Sequence, residues 1–476
     1  MISLLLILIP LLGGLITFVL KDAKTAKNFA LAVSLVTLAV SVFSVSGAAA
    51  SQLQYDAAWL PTFGSRFTLQ LDGMGKMLTL LTAISFPVVF IATYNNEYKN
   101  AHQFFALMLL TQTGLTGVFA AADVLLFYFF WELALIPVYF LASIWGGEKR
   151  IQVTFKFFVY TFLGSLLMLA GIVYMYYHNP EQSFALSSFY KIQLTGAKSG
   201  LVFWLFFIAF AIKMPVFPFH TWQPDAYEQS PTAVTMILSG VMVKMGVFAV
   251  IRWLIPVFPQ NAAHFSNIII ILSVTGMLYA SFIAIKQDDL KRLIAYSSIA
   301  HIGLMCAAIF ANNTTGLNGV MIQMFNHGIN VIGLWIVANA IEQQLGTRKI
   351  SALGGLAQKA PTLAILLVVL AFANIALPLT NAFIGEFLMF NGLFTYNVWA
   401  AAIAGVSIIL GAVYTLNMVQ KVFYGNTNTV TENAVEISGN VKWILIVLVL
   451  LIIILGVYPQ PVFNLTGDTI KTIFNK

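Results

Sequence analysis

Residues 201–222 read LVFWLFFIAFAIKMPVFPFHTW, an apolar run of the length that crosses a lipid bilayer, interrupted by one lysine and two prolines. A membrane-spanning helix needs about 20 consecutive, mostly apolar residues. Proline removes a backbone donor and clashes with the preceding turn, so Pro215 and Pro218 predict a broken helix directly after Lys213. In lipid, a broken backbone is tolerated only beside protein or a water-filled cavity. This stretch therefore predicts a helical membrane protein with an ionisable residue at an internal break.

The composition of the whole chain supports that class. Of its 476 residues, 60% are apolar and only 9% are charged, whereas soluble domains carry about 25% charged residues, so a water-soluble enzyme is excluded. The apolar runs are continuous and do not alternate as transmembrane β-strands do. We expect an all-α polytopic membrane protein with about fourteen transmembrane helices. The runs lie near 2–20, 28–46, 77–94, 103–121, 123–145, 154–178, 201–222, 231–255, 267–285, 290–310, 319–342, 362–393, 398–424 and 441–459.

The distribution of Lys and Arg predicts the orientation of these helices. Loops after odd-numbered helices hold fourteen of the 24 basic residues, and loops after even-numbered helices together with the C-terminal tail hold six. Loops rich in Lys and Arg lie on the cytoplasmic side of a membrane. The sequence therefore predicts that the odd-numbered loops are cytoplasmic and that both termini lie on the outer face.

Three ionisable residues fall deep inside predicted helices: Glu132, Lys213 and Lys244. A charge near the bilayer centre costs about 2.5–3.5 kcal/mol on insertion scales. One interpretation is that these residues form ion pairs that only fix helix packing. Buried ion pairs are weak stabilisers, however, because desolvation offsets most of the Coulomb attraction. The cost therefore favours the second interpretation, a path for protons or ions.

A second predicted break strengthens that interpretation. Helix twelve reads LPLTNAFIGEF over residues 377–387, with Pro378 eight residues before Glu386. Two interrupted helices, each beside an ionisable residue, point to inverted repeats with sites at the breaks. Helices 4–8 and 9–13 would then form two five-helix units. The expected division is N-terminal helices in 1–102, a first repeat in 103–255, a second repeat in 256–424 and a C-terminal helix in 425–476.

Three histidines extend the candidate path: His220 after the helix-seven break, His301 in helix ten and His327 in helix eleven. A single histidine in a membrane is more often a packed hydrogen-bonding residue than a relay. Three in one bundle with buried Lys and Glu favour proton transfer, because imidazole titrates near neutral pH.

Other kinds of site leave no trace in the sequence. It contains no phosphate-binding loop, no dinucleotide motif, no zinc-protease motif and no basic nucleic-acid patch. Its single cysteine, Cys306, excludes an iron–sulfur cluster held by this chain alone. We therefore expect no metal, nucleotide or redox cofactor in this chain, and an energy source in another subunit or an ion gradient.

Three stretches are similar to the antiporter-like subunits of respiratory complex I: WELALIPVYFL (131–141), KMPVFPFHTWQPDAYEQSPTAVTMILSGVMVKMG (213–246) and DLKRLIAYSSIAHIG (289–303). The resemblance covers nearly the whole chain, and the long middle motif is highly specific. It implies fourteen helices with inverted repeats at helices 4–8 and 9–13. It also implies a proton path through Glu132, Lys213, Lys244 and Glu386, with His220, His301 and His327 as relays.

Within that family, the chain resembles the M-type subunits, which have glutamate at the position of Glu386. N-type subunits and the D-type subunits of Na⁺/H⁺ antiporters have lysine there. One departure is Leu379, where the family usually has glycine. The resemblance implies that Glu132 pairs with Lys213 and holds it protonated. Disturbing that pair would send the proton to Lys244 and, through histidines and water, to Glu386.

The resemblance also implies a place in a larger assembly. The expected role is that of a proton-translocating membrane-arm subunit of NADH:quinone oxidoreductase in a bacterial inner (plasma) membrane, part of a translocase but without its own redox centre. NADH, FMN, iron–sulfur clusters and quinone then belong to partner subunits. The expected neighbours are L-type and N-type antiporter-like subunits, small membrane subunits and the lipid bilayer, and no nucleic acid. A subunit of a multisubunit Na⁺/H⁺ antiporter or of a membrane-bound hydrogenase is the alternative.

Overall fold

A computed structural model describes residues 1–474 as a helical bundle with one small sheet. The helices are α1 Ile2–Thr17, α2 Ala23–Ser46, α3 Gly73–Ala92, α4 Ala101–Ala120, α5 Val124–Trp145, α6 Arg150–Tyr177, α7 Leu186–Phe189, α8 Gly196–Lys213, α9 Gln223–Gln229, α10 Thr232–Val257, α11 Pro259–Ile285, α12 Leu290–Phe310, α13 Thr314–Leu345, α14 Leu356–Lys359, α15 Pro361–Asn374, α16 Asn381–Tyr396, α17 Val398–Phe423, α18 Gly439–Val457 and α19 Gln460–Phe474. The strands are β1 Gln54–Leu60 and β2 Ser65–Gln70.

Among the described residues, twelve helices are long and apolar enough to cross a membrane. Helices α1 and α15 are apolar but shorter, with 16 and 14 residues. Each of the fourteen predicted runs overlaps one helix, except that the twelfth overlaps both α15 and α16. The predicted class of helical membrane protein is confirmed. The inverted repeats, the four-part division and the orientation stay predictions.

Three of the helices that carry predicted site residues, α10, α12 and α13, form the centre of the bundle. In α10 and α13, every residue of the 18-residue apolar segment that could span a membrane is buried. In α12, 94% of the corresponding segment is buried. In α17 and α2 the corresponding shares are 22% and 28%, so these helices lie at the periphery. Ionisable side chains on α10, α12 and α13 are therefore surrounded by protein rather than by lipid.

The first predicted break is present between Lys213, the last residue of α8, and Gln223, the first of α9. Pro215 cannot donate to the carbonyl of Ala211 one turn back, and the N–H of Val216 donates to that carbonyl instead, at 3.0 Å. The carbonyl of Ile212 accepts from the indole Nε1 of Trp222 at 3.0 Å. The backbone groups released by the proline are thus satisfied within the protein, as a membrane interior requires.

The second predicted break is present between α15 and α16. Two residues of the break have positive φ: Ala376 at 53° and Leu379 at 73°. Such a φ costs a non-glycine residue roughly 1–2 kcal/mol, so Leu379 keeps the break but carries backbone strain that glycine would avoid. Gly456 of α18 packs directly on this turn, because a Cβ there would lie 2.3 Å from the carbonyl oxygen of Leu379.

Several short helices were not predicted from the sequence, and neither were a β-hairpin and the helix α19. Strands β1 and β2 form an antiparallel hairpin within the first long loop, and Gly64 turns between them with φ of 70°. The hairpin is tied to the α4–α5 corner, where the N–H of Ala122 donates to Thr68 at 2.9 Å. Helix α19 follows the last predicted span and packs so closely on α3 that a Cβ at Gly73 would lie 1.9 Å from the Leu465 carbonyl oxygen. We call the side of the bundle that carries the hairpin and α19 the hairpin face.

Candidate functional site

The first break holds Lys213 inside the bundle without a hydrogen bond to its ammonium group among the described residues. Its side chain is buried, and Nζ has no hydrogen-bond partner among residues 1–474. Nζ lies 5.5 Å from the ring centroid of Trp131 on α5, a cation–π distance. Glu132 follows Trp131 and interacts with Lys213 electrostatically, yet its Oε1 also has no hydrogen-bond partner within the described chain. The structure therefore puts the predicted pair on facing helices but not in hydrogen-bond contact.

Four of the predicted residues form a chain of contacts inside the bundle, from α10 to α16. Lys244 Nζ on α10 donates to His327 Nδ1 on α13 at 2.8 Å. The ring of His327 faces that of His301 on α12, with centroids 5.5 Å apart. Nδ1 of His301 then contacts Oε1 of Glu386 on α16 at 2.9 Å. Two histidines thus connect Lys244 with Glu386, although these residues are 142 positions apart in the sequence.

The backbone around Lys244 departs from a regular α-helix. Helix α10 contains π-helical turns at Leu238–Met242 and Val250–Leu254, on either side of this lysine. In the first turn the N–H of Val243 donates to the carbonyl five residues back. The carbonyl of Ser239, in the same turn, accepts from Lys244 Nζ at 2.7 Å. The π-helical turn thus supplies a second buried acceptor for the ammonium group, and such turns are frequent at functional sites.

The carboxylate of Glu386 has a second contact that sequence reasoning missed. Gln323 of α13 donates its Nε2 to Oε1 of Glu386 at 3.2 Å. The amide fits because residue 385 is glycine: a Cβ on Gly385 would lie 2.5 Å from Oε1 of Gln323. The sequence did indicate a polar stripe here. His327 and Asn330 follow Gln323 by four and seven residues, so the three side chains share one face of an apolar helix.

A small cavity adjoins the Glu386 end of this chain. Its volume is about 20 Å³, and a water molecule needs about 10–15 Å³. His301, Glu386, Asn374 and Tyr414 contribute to its lining. The hydroxyl of Tyr414 and the amide of Asn374 both donate to Ser297 Oγ, at 3.0 and 3.2 Å. The site therefore has polar room for one water beside the carboxylate.

His220 lies apart from the other predicted residues. Its ring stacks on Phe217 with centroids 5.6 Å apart and meets Tyr279 edge-on at 5.2 Å. Its Nδ1 is buried and has no hydrogen-bond partner among the described residues. These contacts lie within the first break and on α11, so His220 does not join the chain that runs from Lys244 to Glu386.

A network of ion pairs anchors α9, the segment after the first break, and sequence reasoning missed it. Asp225 of α9 contacts Lys156 at 2.8 Å and Arg292 at 3.0 Å. Glu228 of α9 contacts Arg292 at 2.8 Å and Arg348 at 3.1 Å. Further pairs extend the network to Lys291, Asp289 and Glu342. The network therefore links the two halves of the bundle, because Lys156 belongs to α6, Arg292 to α12 and Glu342 to α13.

Comparison with known proteins agrees with this architecture. The model of the family described as NADH:quinone oxidoreductase/Mrp antiporter, transmembrane, matches residues 121–411. NADH-quinone oxidoreductase subunit M of Rhodobacter capsulatus is 37% identical over 467 residues, covering 94% of this chain and 90% of the relative. The resemblance predicted from the sequence motifs is thus confirmed.

Solved structures are similar over the whole chain. One chain of respiratory complex I from Thermus thermophilus with bound NADH superimposes with a TM-score of 0.91 at 28% identity, covering 100% of both chains. A chain of the Mrp complex from Dietzia sp. DQ12-45-1b gives a TM-score of 0.90 at 19% identity, covering 100% of this chain and 97% of that one. The second likeness concerns the fold alone.

Proposed function

The chain belongs to the family of transmembrane NADH:quinone oxidoreductase and Mrp antiporter subunits, and from this premise we propose that it is the M-type proton-translocating subunit of NADH:quinone oxidoreductase. Proton translocation is supported above all by the buried contacts of Lys244 with His327 and of His301 with Glu386. Such groups are costly inside a membrane and mark proton relays when they lie within hydrogen-bond reach of one another. The assignment to this oxidoreductase rests on the subunit M relative, which is 37% identical.

The proposed transfer runs from Lys244 toward Glu386. The ammonium of Lys244 gives a proton to Nδ1 of His327, with which it is already hydrogen-bonded. Nε2 of His301 has no partner among the described residues, so it is the atom that would accept the proton from the facing His327 ring through one bridging water. Nδ1 of His301 then passes a proton to Oε1 of Glu386. The adjoining cavity has room for the water that takes it onward.

The first break supplies the proposed control of this transfer. When Glu132 approaches Lys213, the carboxylate favours the protonated lysine, and when it withdraws, the lysine gives its proton toward Lys244. In this proposal an arrangement without a hydrogen bond between Glu132 and Lys213, such as the one described above, favours release of the proton. His220, which has an unpartnered Nδ1 in the same break, is the proposed relay between that break and the face of the membrane that carries the ion-pair network.

The proposed setting is the bacterial inner membrane, with the basic loops cytoplasmic and both termini outside. This chain serves the enzyme as a subunit without its own redox centre, and NADH, FMN, iron–sulfur clusters and quinone are bound by partner subunits. L-type and N-type antiporter-like subunits and small membrane subunits are the proposed neighbours. Buried Cys306 is the only cysteine of the chain, which fits the proposal that the redox centres lie elsewhere.

A second candidate is a subunit of a Na⁺/H⁺ antiporter complex, which the likeness of fold to the Mrp chain favours. A membrane-bound hydrogenase subunit is a third. Glu386 favours the assignment to the oxidoreductase. The D-type subunits of Na⁺/H⁺ antiporters, like the N-type subunits of complex I, have lysine at this position.

Purification of the intact complex in mild detergent tests the assignment. Identification of peripheral NADH-binding and iron–sulfur subunits among its partner chains is the expected result, and identification of antiporter or hydrogenase subunits instead would contradict it. Proton uptake driven by NADH in reconstituted vesicles then tests translocation. Lys244→Ala should abolish it at normal assembly, whereas normal uptake by that variant would refute the path.

A further inference from the structure

A large cavity on the hairpin face is not part of the proposed path. Its volume is about 670 Å³. It lies between the start of α3, the end of α10 and helix α19, and its charged lining residues are Asp72, Lys76, Arg252 and Asp468. Both signs of charge line it, as in a water-filled recess. Arg252 and Pro256 of α10, the helix that carries Lys244, form part of its wall.

The recess is closed toward the bundle by an ion pair. Arg252 of α10 contacts Asp72, and Asp72 also accepts a hydrogen bond from Thr469 of α19 at 3.0 Å. Nε of Arg252 is buried and has no hydrogen-bond partner among the described residues. Arg252 follows Lys244 by eight residues, which places it two turns further along α10, about 12 Å toward the hairpin face.

One aromatic side chain separates the two cations. Phe248 lies one turn from Lys244 and one turn from Arg252, and the Arg252 guanidinium sits over its ring at 5.2 Å from the centroid. The ring is 1% exposed and packs against Phe119 with centroids 5.3 Å apart and against Phe127 at 6.4 Å. Polar groups and space for water therefore lie on the hairpin side of Phe248, and the buried lysine lies on the other side.

We propose that this recess is a water-accessible vestibule for Lys244 and that Phe248 is the apolar barrier that keeps it closed. The proposal rests on the proposed function, since it gives the middle lysine of the path its own access to the hairpin face. Apolar constrictions of this kind gate pores by excluding water. The π-helical turn at Val250–Leu254 lies between the barrier and the recess, where a change of helical register would move Phe248 relative to Arg252.

Passive proton leak measures the barrier directly. The intact complex is reconstituted into vesicles with a pH-sensitive dye inside, and the influx of protons after an external acid step is recorded without NADH. Phe248→Ser should raise the influx rate about tenfold, which corresponds to a barrier lower by about 1.4 kcal/mol. Phe248→Leu, which keeps an apolar side chain, should not. Because no redox turnover is involved, this result is independent of whether the complex pumps.

Two controls decide what the leak means. Phe90 of α3 is equally buried, with 1% exposure, and packs on Phe105, so Phe90→Ser creates a similar cavity away from the recess and should not leak. Lys244→Ala added to Phe248→Ser should return the leak to the wild-type level, because the path runs through the lysine. An absent leak in Phe248→Ser, an equal leak in Phe90→Ser, or a leak that persists without Lys244 would each overturn the proposal.

A labelling experiment covers the case in which Phe248→Ser does not assemble. In a Cys306→Ala background, Phe248→Cys should react with a small cationic methanethiosulfonate reagent added from the hairpin face. Phe90→Cys should stay unlabelled under the same conditions. Failure to label residue 248 in the assembled complex would refute a vestibule that reaches this depth.

Discussion

Replacing Glu386 separates a proton relay from a structural hydrogen bond. Its Oε1 contacts His301 Nδ1 at 2.9 Å and Gln323 Nε2 at 3.2 Å. Glutamine has the same length, so its amide oxygen can keep both contacts as neutral hydrogen bonds. A bond to a charged group contributes about 1.5–3 kcal/mol and a neutral bond about 1 kcal/mol. Each of the two bonds should therefore lose about 0.5–2 kcal/mol in Glu386→Gln, a cost to the fold of about 1–4 kcal/mol, and the complex should assemble.

The effect on proton transfer should be much larger than the effect on folding. An amide cannot bind and release a proton in this pH range, and a positioned acid–base group contributes about 10²–10⁴-fold to a rate. Pumping through this subunit should therefore fall at least about 100-fold in Glu386→Gln. Glu386→Asp keeps a carboxyl group but shortens the side chain by one carbon–carbon bond, about 1.5 Å. A water in the adjoining cavity can bridge that gap to His301, so partial pumping should remain.

The assay compares proton uptake with NADH:quinone electron transfer in vesicles that contain equal amounts of assembled complex. Glu97→Gln removes an exposed glutamate that lies before α4 and serves as the matched control, with pumping unchanged. If Glu386 only hydrogen-bonds its neighbours, the glutamine variant will pump better than the aspartate variant. That order would refute the relay.

Four further outcomes are expected. Lys213→Ala should abolish pumping with assembly retained, because a small apolar residue is cheaper in a membrane than an ammonium group; normal pumping would exclude this lysine from the path. Arg292→Gln, which removes two ion pairs to α9, should destabilise the complex by about 2–3 kcal/mol, less than a fully buried pair because its side chain is 28% exposed; an unchanged melting temperature would contradict this. Leu379→Gly should raise the melting temperature by removing positive-φ strain of roughly 1 kcal/mol, and Leu379→Ile should lower it. Hydrogen bonds from Arg66 and Thr68 hold the pKa of Asp56 below its usual range. The stability that the Asp56 carboxylate gives the hairpin should therefore be intact above about pH 4 and lost as pH falls through the lowered pKa. If the amide hydrogens of the hairpin exchange no faster at low pH, Asp56 does not stabilise it in this way.

The spans could be predicted because membrane helices are specified by local composition. The breaks needed more than proline, however. Pro10, Pro87 and Pro137 lie inside continuous helices, whereas Pro215 and Pro378 accompany interruptions. A nearby ionisable residue does not separate the two groups, because Pro137 lies five residues from Glu132 in an unbroken helix, whereas Pro378 lies eight residues from Glu386.

The types of the site residues could be predicted, but their contacts could not. A buried Lys, His or Glu stands out in an apolar helix whatever it touches. Which of them meet depends on how α10, α12, α13 and α16 pack, and the sequence spacing between those helices carries no information about it. Lys244 therefore contacts His327 rather than Lys213, and His220 stays in the first break.

The hairpin and helix α19 were missed for a different physical reason. Their apolar residues are interleaved with polar ones, so their mean hydropathy is too low for a search that recognises continuous apolar runs. In α19 the apolar side chains Val462, Leu465 and Ile470 follow roughly helical spacing, with Thr and Asp between them. This pattern is typical of a helix that lies against a protein or membrane surface rather than one that spans the membrane.

The arrangement of charges follows from the cost of burying them. Placing an ammonium group or a carboxylate against lipid would cost about 2.5–3.5 kcal/mol each. In agreement with that cost, the side chains of Lys213, Lys244 and Glu386 are buried, and the last two each contact a histidine. Lys213 differs, because its Nζ has no hydrogen-bond partner among the described residues. A buried charge that is fully hydrogen-bonded holds its proton firmly. A buried charge without such bonds has a pKa that changes when its neighbours move slightly. Asp225 and Glu228 hold α9, which follows this lysine, to Lys156 in the first half of the chain and to Arg292 and Arg348 in the second. We therefore expect a movement in either half to reach the surroundings of Lys213 through these ion pairs.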